Sequence, residues 1–475
     1  MCSLRFALVY ALSISFVCVA ALGAENPEVT GNQSASSSST GATEYGVRRQ
    51  FTLQQCFDRA DTSNKEILIA SAKMSAAQAA IIIAKAIPNP VYNMTYGWGP
   101  SWDYIVAGNN QQVGLSEEIQ VAGRRTKKTE VANASYLQTA LQLEAVRFDV
   151  HNRVRRAYAA LAASTSYYKL LRTQRQISST LIKVSGEKSD QGNPEVPSEL
   201  RGRLIDLQFE TQLNSAKAKL YQDSSNLLSL LGDTPLHEEV VGIEEIDVFS
   251  LHAERNKIVP APNRGLPSLQ QLLPAAWNQR QDLRAAIQQA YANKKAVTLA
   301  KTQRIPDPTI GANFLFSSYN RQQPQDFDPT GSNILGDPGN NVPAQPAFLL
   351  TLSEETPLYY QYQGQVEQAK ATWIHQLKQN DAQRAQIASD IVVAYEALIV
   401  AEQNIEKFQN NLLPESLKVA QLSQAGYEAG TSNLAVAVLA QHQYSQLRSA
   451  YFNSVVAYQN AWSDLEKAVG VPLKL

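Results

Sequence analysis

Along the second half of the chain apolar residues fall at three–four spacing: Ile391, Ala394, Leu398, Ala401, Ile405, Phe408 and Leu412. Glu, Gln, Lys and Asn fill the positions between them, which is the pattern of a helix packed along one seam against another helix. The run extends from Leu358 to about Gln424, with a kink expected at Pro414, where a backbone donor is missing. At 1.5 Å per residue such a helix is roughly 100 Å long. Elsewhere the period changes from seven-residue to two-residue. Tyr92, Met94, Tyr96 and Trp98 alternate with Asn93, Thr95 and Gly97, and Val113, Leu115 and Ile119 resume the alternation after a short loop. Ile310, Ala312, Phe314 and Phe316 alternate with Gly311, Asn313 and Ser317, and Phe348, Leu350 and Leu352 follow after a loop rich in Pro, Gly, Asn and Asp. These stretches predict two β-hairpins, each with one apolar face.

The pattern occurs twice. Leu352–Glu355 repeats the LSEE of Leu115–Glu118 after 237 positions, and Val154, Ala157, Leu161, Ser164, Tyr168 and Leu171 occupy the seam positions of the earlier copy. Tyr158 answers Tyr395, and Leu231-Gly232 answers Val469-Gly470 with one residue of drift. Ile87-Pro88-Asn89-Pro90 mirrors Ile305-Pro306-Asp307-Pro308, and Leu53-Gln54-Gln55 mirrors Leu269-Gln270-Gln271. Five landmarks in one order indicate a duplication. The expected fold is mainly α with a β-barrel contribution, in two tandem repeats, 51–235 and 268–475, joined by a linker, 236–267. Each repeat reads as a shorter helix, a hairpin, a long helix and a return helix. The first shorter helix, Thr52–Lys85, is broken near Asp61–Asn64; turns are expected at Ser189–Pro197 and Gly426–Thr431.

Strands of about ten residues can cross a bilayer at a tilt, with Tyr92, Met94, Tyr96, Trp98, Phe314, Phe316, Phe348 and Leu350 on the lipid face. One such hairpin alone would read as ordinary soluble structure; two at equivalent places shift the balance. Four strands cannot close, since the smallest membrane barrels have eight, and an open edge in lipid leaves backbone groups unsatisfied. Further copies must complete the barrel, and three copies give twelve strands.

The N-terminus reads as a signal peptide over residues 1–24: Arg5, an apolar run from Phe6 to Ala21, then small residues to Ala24. Lipidation at Cys18 is not expected, because Val17 is too large for the position before it. Residues 25–50, with Ser36–Ser39, read as a flexible leader. Cys56 is then the only cysteine left, so no internal disulfide is expected. Lys and Arg number 42 against 43 Asp and Glu, which implies no attraction to nucleic acid. After the signal no run of eighteen apolar residues follows. Five scattered histidines offer no metal-ligand spacing, and neither a phosphate loop nor a nucleophile turn is present. Glu117-Glu118 and Glu354-Glu355 are adjacent on strands and point to opposite faces, so neither makes an acid/base pair. Nothing here reads as an enzyme or calls for a cofactor or metal.

The order of elements resembles the TolC-type outer-membrane efflux channels over nearly the whole mature chain. Ala425-Gly426-Tyr427-Glu428-Ala429-Gly430-Thr431 is similar to that family's periplasmic-tip sequence. Pro88-Asn89-Pro90 and Ala122-Gly123-Arg124-Arg125 look like its heavy-metal, CzcC-like branch. The resemblance implies a homotrimer: a shared twelve-stranded barrel in the outer membrane of a Gram-negative bacterium above a helical tunnel through the periplasm. It also implies docking to a periplasmic adaptor and an inner-membrane pump of the resistance-nodulation-division type. Tyr427 matches the family's gate tyrosine, while the positions of its gating arginine and two aspartates hold Ser432, Val436 and Leu439. The tip candidates are Tyr427, Glu428, Gly430, Thr431, Glu187 and Asp190, with Glu428 expected to ring the entrance and favour cations. The same architecture also serves as the outer-membrane channel of type I protein secretion. A reading from another class is a periplasmic structural coiled coil without a pore.

Overall fold

The computed structural model describes residues 47–95, 111–189, 196–233, 240–243, 267–316 and 347–473, all within one compact unit, Gly46–Leu475. The expected signal peptide, Tyr96, Trp98, Asp190 and the long loop of the second hairpin lie outside the described residues. The elements are β1 (Val47–Phe51), α1 (Leu53–Ser63), α2 (Lys65–Lys85), β2 (Val91–Thr95), β3 (Gln111–Glu118), α3 (Arg124–Ser189), α4 (Val196–Leu230) and β4 (Val240–Ile243). There follow α5 (Leu269–Gln279), α6 (Gln281–Thr302), β5 (Thr309–Phe316), β6 (Ala347–Ser353), α7 (Gln363–Lys407), a π turn (Phe408–Leu412), α8 (Leu413–Glu428) and α9 (Leu434–Val469).

Each half begins with a helix of 11 residues followed by one of 21 or 22. In the first half Thr52 opens α1 with a capping box: its hydroxyl accepts from Gln55 N at 3.2 Å, and Gln55 Oε1 accepts from Thr52 N at 2.9 Å. The break falls at Asn64, whose Oδ1 accepts from Glu66 N and Ile67 N and so caps α2. Its Nδ2 donates to Leu230 O at 2.7 Å, in the last turn of α4. The second break falls at Arg280, whose Nη1 donates to Ala468 O at 3.1 Å, in the last turn of α9. Gly232 and Gly470 follow these helix ends at φ +80 and +83, with backbone pressed against Ser63 and Arg280 respectively. A side chain at either position would meet that backbone as well as the left-handed strain. The same joint is thus built twice. The break near Asp61–Asn64 is expected from the sequence; the one at Arg280 is not, because the second repeat's pattern reads there as one shorter helix.

The long helices bury the seam. Val154, Leu161 and Leu171 of α3 and Ile391 and Leu398 of α7 are fully buried; all but Leu171 pack with Leu227, Leu228 and Leu231 at the end of α4 and with Phe452, Val455 and Leu465 of α9, while Leu171 packs with Phe209 and Ala216 of α4. Each such aliphatic side chain removed from water contributes about 1.5–3 kcal/mol. Neighbouring helices lie in the order α2, α3, α6, α7, the same order as the strands that follow or precede them.

Three expectations change. The second long helix starts at Gln363, not Leu358, because Tyr362 takes a left-handed conformation (φ 57) just before it. At Pro414, where a kink is expected, the change takes the form of a π turn just before the proline, Leu413 N donating to Phe408 O five residues back, and Pro414 sits in the first turn of α8. The extra residue shifts the seam: Leu412 is 41% exposed, and Leu413, Ala420 and Tyr427 continue the buried stripe at seven-residue spacing. Finally, β1 at the end of the expected leader pairs in parallel with β4 inside the expected linker. No local signal marks a pairing across nearly two hundred residues.

α2 is long and apolar enough to cross a membrane by composition, yet only 6% of that window is buried in the chain. Ile69, Ile82 and Ile83 are each more than half exposed. A helix this apolar and this bare lacks its neighbour.

Candidate functional site

Four antiparallel strands run in the order β2-β3-β5-β6. Register places Tyr92, Leu115, Ala312 and Leu350 in one row across the sheet, and Met94, Val113, Phe314 and Phe348 in the next row on the same face. Ile310 and Leu352 extend it. The other face carries Asn93, Gly114, Asn313 and Leu349 in one row and Val91, Ser116, Gly311 and Thr351 in the next. Asn93 Nδ2 donates to Ser116 Oγ at 2.8 Å, and Asn313 Nδ2 to Thr351 Oγ1 at 3.2 Å.

Burial runs opposite to that of a water-soluble sheet. Leu350 and Leu352 are 70% and 71% exposed, and Phe348 67%, while Asn313 on the polar face is only 7% exposed. Gly114 and Gly311 lie under the side chains of Asn313 and Thr351, so a Cβ at either would collide with them. Small residues there let Asn313 and Thr351 lie close against the backbone of the neighbouring strand. Five of the eight expected lipid-face residues have described side chains, Tyr92, Met94, Phe314, Phe348 and Leu350, and the structure brings all five onto the one exposed apolar face. Phe316 ends β5, with its side chain outside the description. Glu117 falls on the apolar face and Glu118 on the polar one, both exposed; Glu354 and Glu355 lie just beyond β6.

Beneath the sheet, one joint locks β3 to the entry of β5. Asp307 takes hydrogen bonds from Val121 N at 2.9 Å and from Arg124 Nη1, and Arg124 Nη2 reaches Thr302 O at 3.0 Å and Ile305 O at 2.7 Å. The pair is shielded, Asp307 at 4% exposure and Arg124 at 16%, and Ile119 N donates to Pro308 O beside it. Arg124 stands at the start of α3, where a positive charge opposes the helix macrodipole. Its charge is in fact spent on Asp307 and two carbonyls, a long-range arrangement that local pattern cannot reveal. Farther down, Lys295 bridges to Glu130 at 2.9 Å and holds that carboxyl below its usual range; a hydrogen bond from Arg153 does the same to Glu66.

At the far end, α8 and α9 meet in a tight turn. Thr431 N and Ser432 N both donate to Gly426 O, Thr431 Oγ1 donates to the same oxygen at 3.0 Å, and Gly430 sits at φ +77. Asn433 caps α9 by accepting from Ala435 N at 2.8 Å. Tyr427 is buried, 5% exposed, packed with Leu181 of α3 and Leu434, Ala437 and Val438 of α9. Glu428 beside it is exposed and accepts from Gln424 Nε2 at 3.1 Å. The two neighbours therefore do different things: Tyr427 holds the hairpin to α3, and Glu428 stays in water. Thr431 is exposed as part of the turn, and Glu187 lies near the end of α3. Sequence reasoning missed His442, which lies edge-on to Phe209 at 5.4 Å; burial pushes its pKa below the usual range. Val436 and Leu439 are half exposed on α9, two apolar side chains one turn apart. Among the described residues no group of His, Cys, Asp and Glu could hold a metal ion.

Residues 57–233 match the sequence model of the family described as outer membrane efflux protein. No curated protein matches the chain by sequence. Several solved structures share the fold. CusC, whose structures concern folding and transmembrane channel formation, superposes with a TM-score of 0.67 at 14% identity, over 91% of this chain and 99% of its own. The MtrE outer membrane channel of Neisseria gonorrhoeae gives 0.65 at 16% identity, covering 95% and 97%. The CmeC outer membrane channel of Campylobacter jejuni gives 0.64 at 16% identity, covering 88% and 85%. At such identities the likeness speaks for the fold.

Proposed function

We propose that the chain belongs to the outer membrane efflux protein family, whose sequence model matches residues 57–233, and that it is the outer-membrane exit duct of a tripartite efflux pump. The observation that carries this reading is the sheet, apolar and exposed on one face and mostly polar on the other, where Asn313 is buried. That is the arrangement lipid outside and water inside require. Tyr92, Met94, Phe314, Phe348 and Leu350 face the hydrocarbon, and Asn93, Ser116, Asn313 and Thr351 line the lumen.

β2 and β6 are the free edges of the sheet, and α2 and α7 are the free edges of the helical layer below. One closure satisfies both layers: a further copy pairs its β2 with β6 and lays its bare α2 beside α7. Three copies give a twelve-stranded barrel above a helical tunnel, built from two tandem repeats per copy. The tunnel crosses the periplasm, and the tips receive a periplasmic adaptor and, through it, an inner-membrane pump of the resistance-nodulation-division type. Transport is passive, since the energy comes from the pump. Tyr427 holds the tip hairpin, Gly430 and Thr431 shape its turn, and Glu428, with Glu187 and Asp190 as the acidic companions at the other tip, favours cations at the entrance.

Single-channel conductance of the purified protein in a planar bilayer, with its native mass, tests the duct. A trimer that passes ions is expected; a soluble, non-conducting monomer would overturn it. In the same bilayers Glu428→Gln should lower cation selectivity, and unchanged selectivity removes Glu428 from the entrance.

A further inference from the structure

Resting on the three-copy reading above, we infer that Asn89 of each copy and Gln361 of the next form a neutral hydrogen-bonded joint at the boundary between copies. The Arg124–Asp307 joint supplies the pattern. Arg124 stands nine residues after Leu115, and Gln361 stands nine residues after Leu352, the matching start of the LSEE segment. Asp307 lies between the prolines of Ile305–Pro308, and Asn89 between those of Ile87–Pro90. Within one chain, the residue below β3 reaches the residue that leads into β5, its neighbour in the sheet. The same step taken from β6 leads out of the chain, because β6 is an edge. The strand that completes it is β2 of another copy, and the residue leading into that strand is Asn89.

The two side chains fit the role. Both are exposed, and among the described residues neither carboxamide has a hydrogen-bond partner, Gln361 donating its backbone N–H to Gln363 Oε1. A carboxamide opposite a carboxamide can exchange a donor and an acceptor, as the guanidinium and carboxylate do inside the chain. The change from charged to neutral follows from when each partner arrives. Asp307 is 4% exposed, and its cation is always present in the same chain. Asn89 must wait for another copy, and an unpaired charge waiting at the membrane surface and then buried is costly. Beside it, Thr356 N should donate to Pro90 O of the next copy, as Ile119 N donates to Pro308 O at 2.8 Å inside the chain.

Oxidative cross-linking of Asn89→Cys combined with Gln361→Cys, in whole outer membranes, tests the joint. Within one chain the two positions sit on opposite edges of four strands, roughly 14 Å apart at about 4.8 Å per strand, too far for a disulfide. Cys56 is fully buried, with its thiol pushed up to about 11, and stays silent. Dimer- and trimer-mass bands from the double variant alone, lost on reduction, are expected. A trimer by native mass that yields only monomer bands overturns the joint and leaves the duct standing; a monomer that passes no ions overturns the duct itself. Should the cysteines disturb assembly, Asn89→Asp with Gln361→Arg places the ion pair between copies. The detergent-resistant trimer should then dissociate at a higher temperature than wild type, and each single charge variant at a lower one. Equal temperatures for all of them also overturn the joint.

Discussion

The sheet and the helical layer below it obey opposite rules. Around Leu398 and Ile391 the apolar side chains are inside and Glu, Gln and Lys are outside. Around Phe314 and Leu350 the apolar side chains are outside, and asparagine, serine, threonine and glycine are inside. A single composition serves both regions because burial follows the solvent. On the proposed reading one end of the molecule is folded for water and the other for hydrocarbon, with the change between Ser353 and Gln363 and again between Glu118 and Arg124.

Substitutions can break this contrast. Leu398→Ala, in the helical seam, should cost about 2–5 kcal/mol. It should appear as a lower thermal midpoint of the helical signal, with insertion into the membrane retained. Phe314→Arg, on the exposed face of the sheet, should cost about 2–4 kcal/mol if that residue sits at mid-bilayer depth. Here the loss should appear as failure to insert, read from the amount of heat-modifiable protein in outer membranes. Normal insertion of Phe314→Arg would mean that the apolar face does not meet lipid.

Smaller changes sharpen the comparison at the tip. Gly430→Val places a β-branched residue at φ +77, a cost of about 1–2 kcal/mol. Export through a reconstituted pump should fall while the barrel forms normally. His442 tests the tip by pH. Its pKa is lowered from the ordinary 6.5 by burial, so the unfolded chain binds the proton more readily than the folded one. Stability should fall as pH drops below about 6.5, and the loss should end once pH passes the folded pKa. His442→Gln should flatten that part of the pH profile.

Much of this could be read from the sequence, and for a physical reason. The strand phase of Met94, Phe314 and Leu350 and the seam of Leu161 and Leu398 depend on period alone. So does the helix break near Asn64, where a capping side chain interrupts the apolar run. What escaped depends on partners far away in sequence. Arg124 looked misplaced until Asp307 was beside it, and β1 and β4 are too short to announce each other. The second break, at Arg280, escaped because its residue carries no side-chain cap. Tyr427 was assigned from its turn, and its burial against Leu181 depends on the helix register upstream.

That register is decided at the π turn. From the end of the π turn through α8 run two adjacent stripes, Leu413, Ala420 and Tyr427 on one and Leu412, Val419 and Gly426 on the other, each at seven-residue spacing. The first is inside, while Leu412 and Val419 are 41% and 52% exposed. One residue fewer between Ile405 and Leu413 would turn the rest of the helix by about 100° and exchange the stripes. The one-residue drift between the two repeats falls between Phe408 and Val469, a stretch that includes this turn. In a ring of three copies, six equivalent helices descend from the sheet, but after this turn every second one faces differently. In the proposed trimer the six-fold order of the barrel would become three-fold at the tips, and the entrance would be built from two unlike kinds of hairpin.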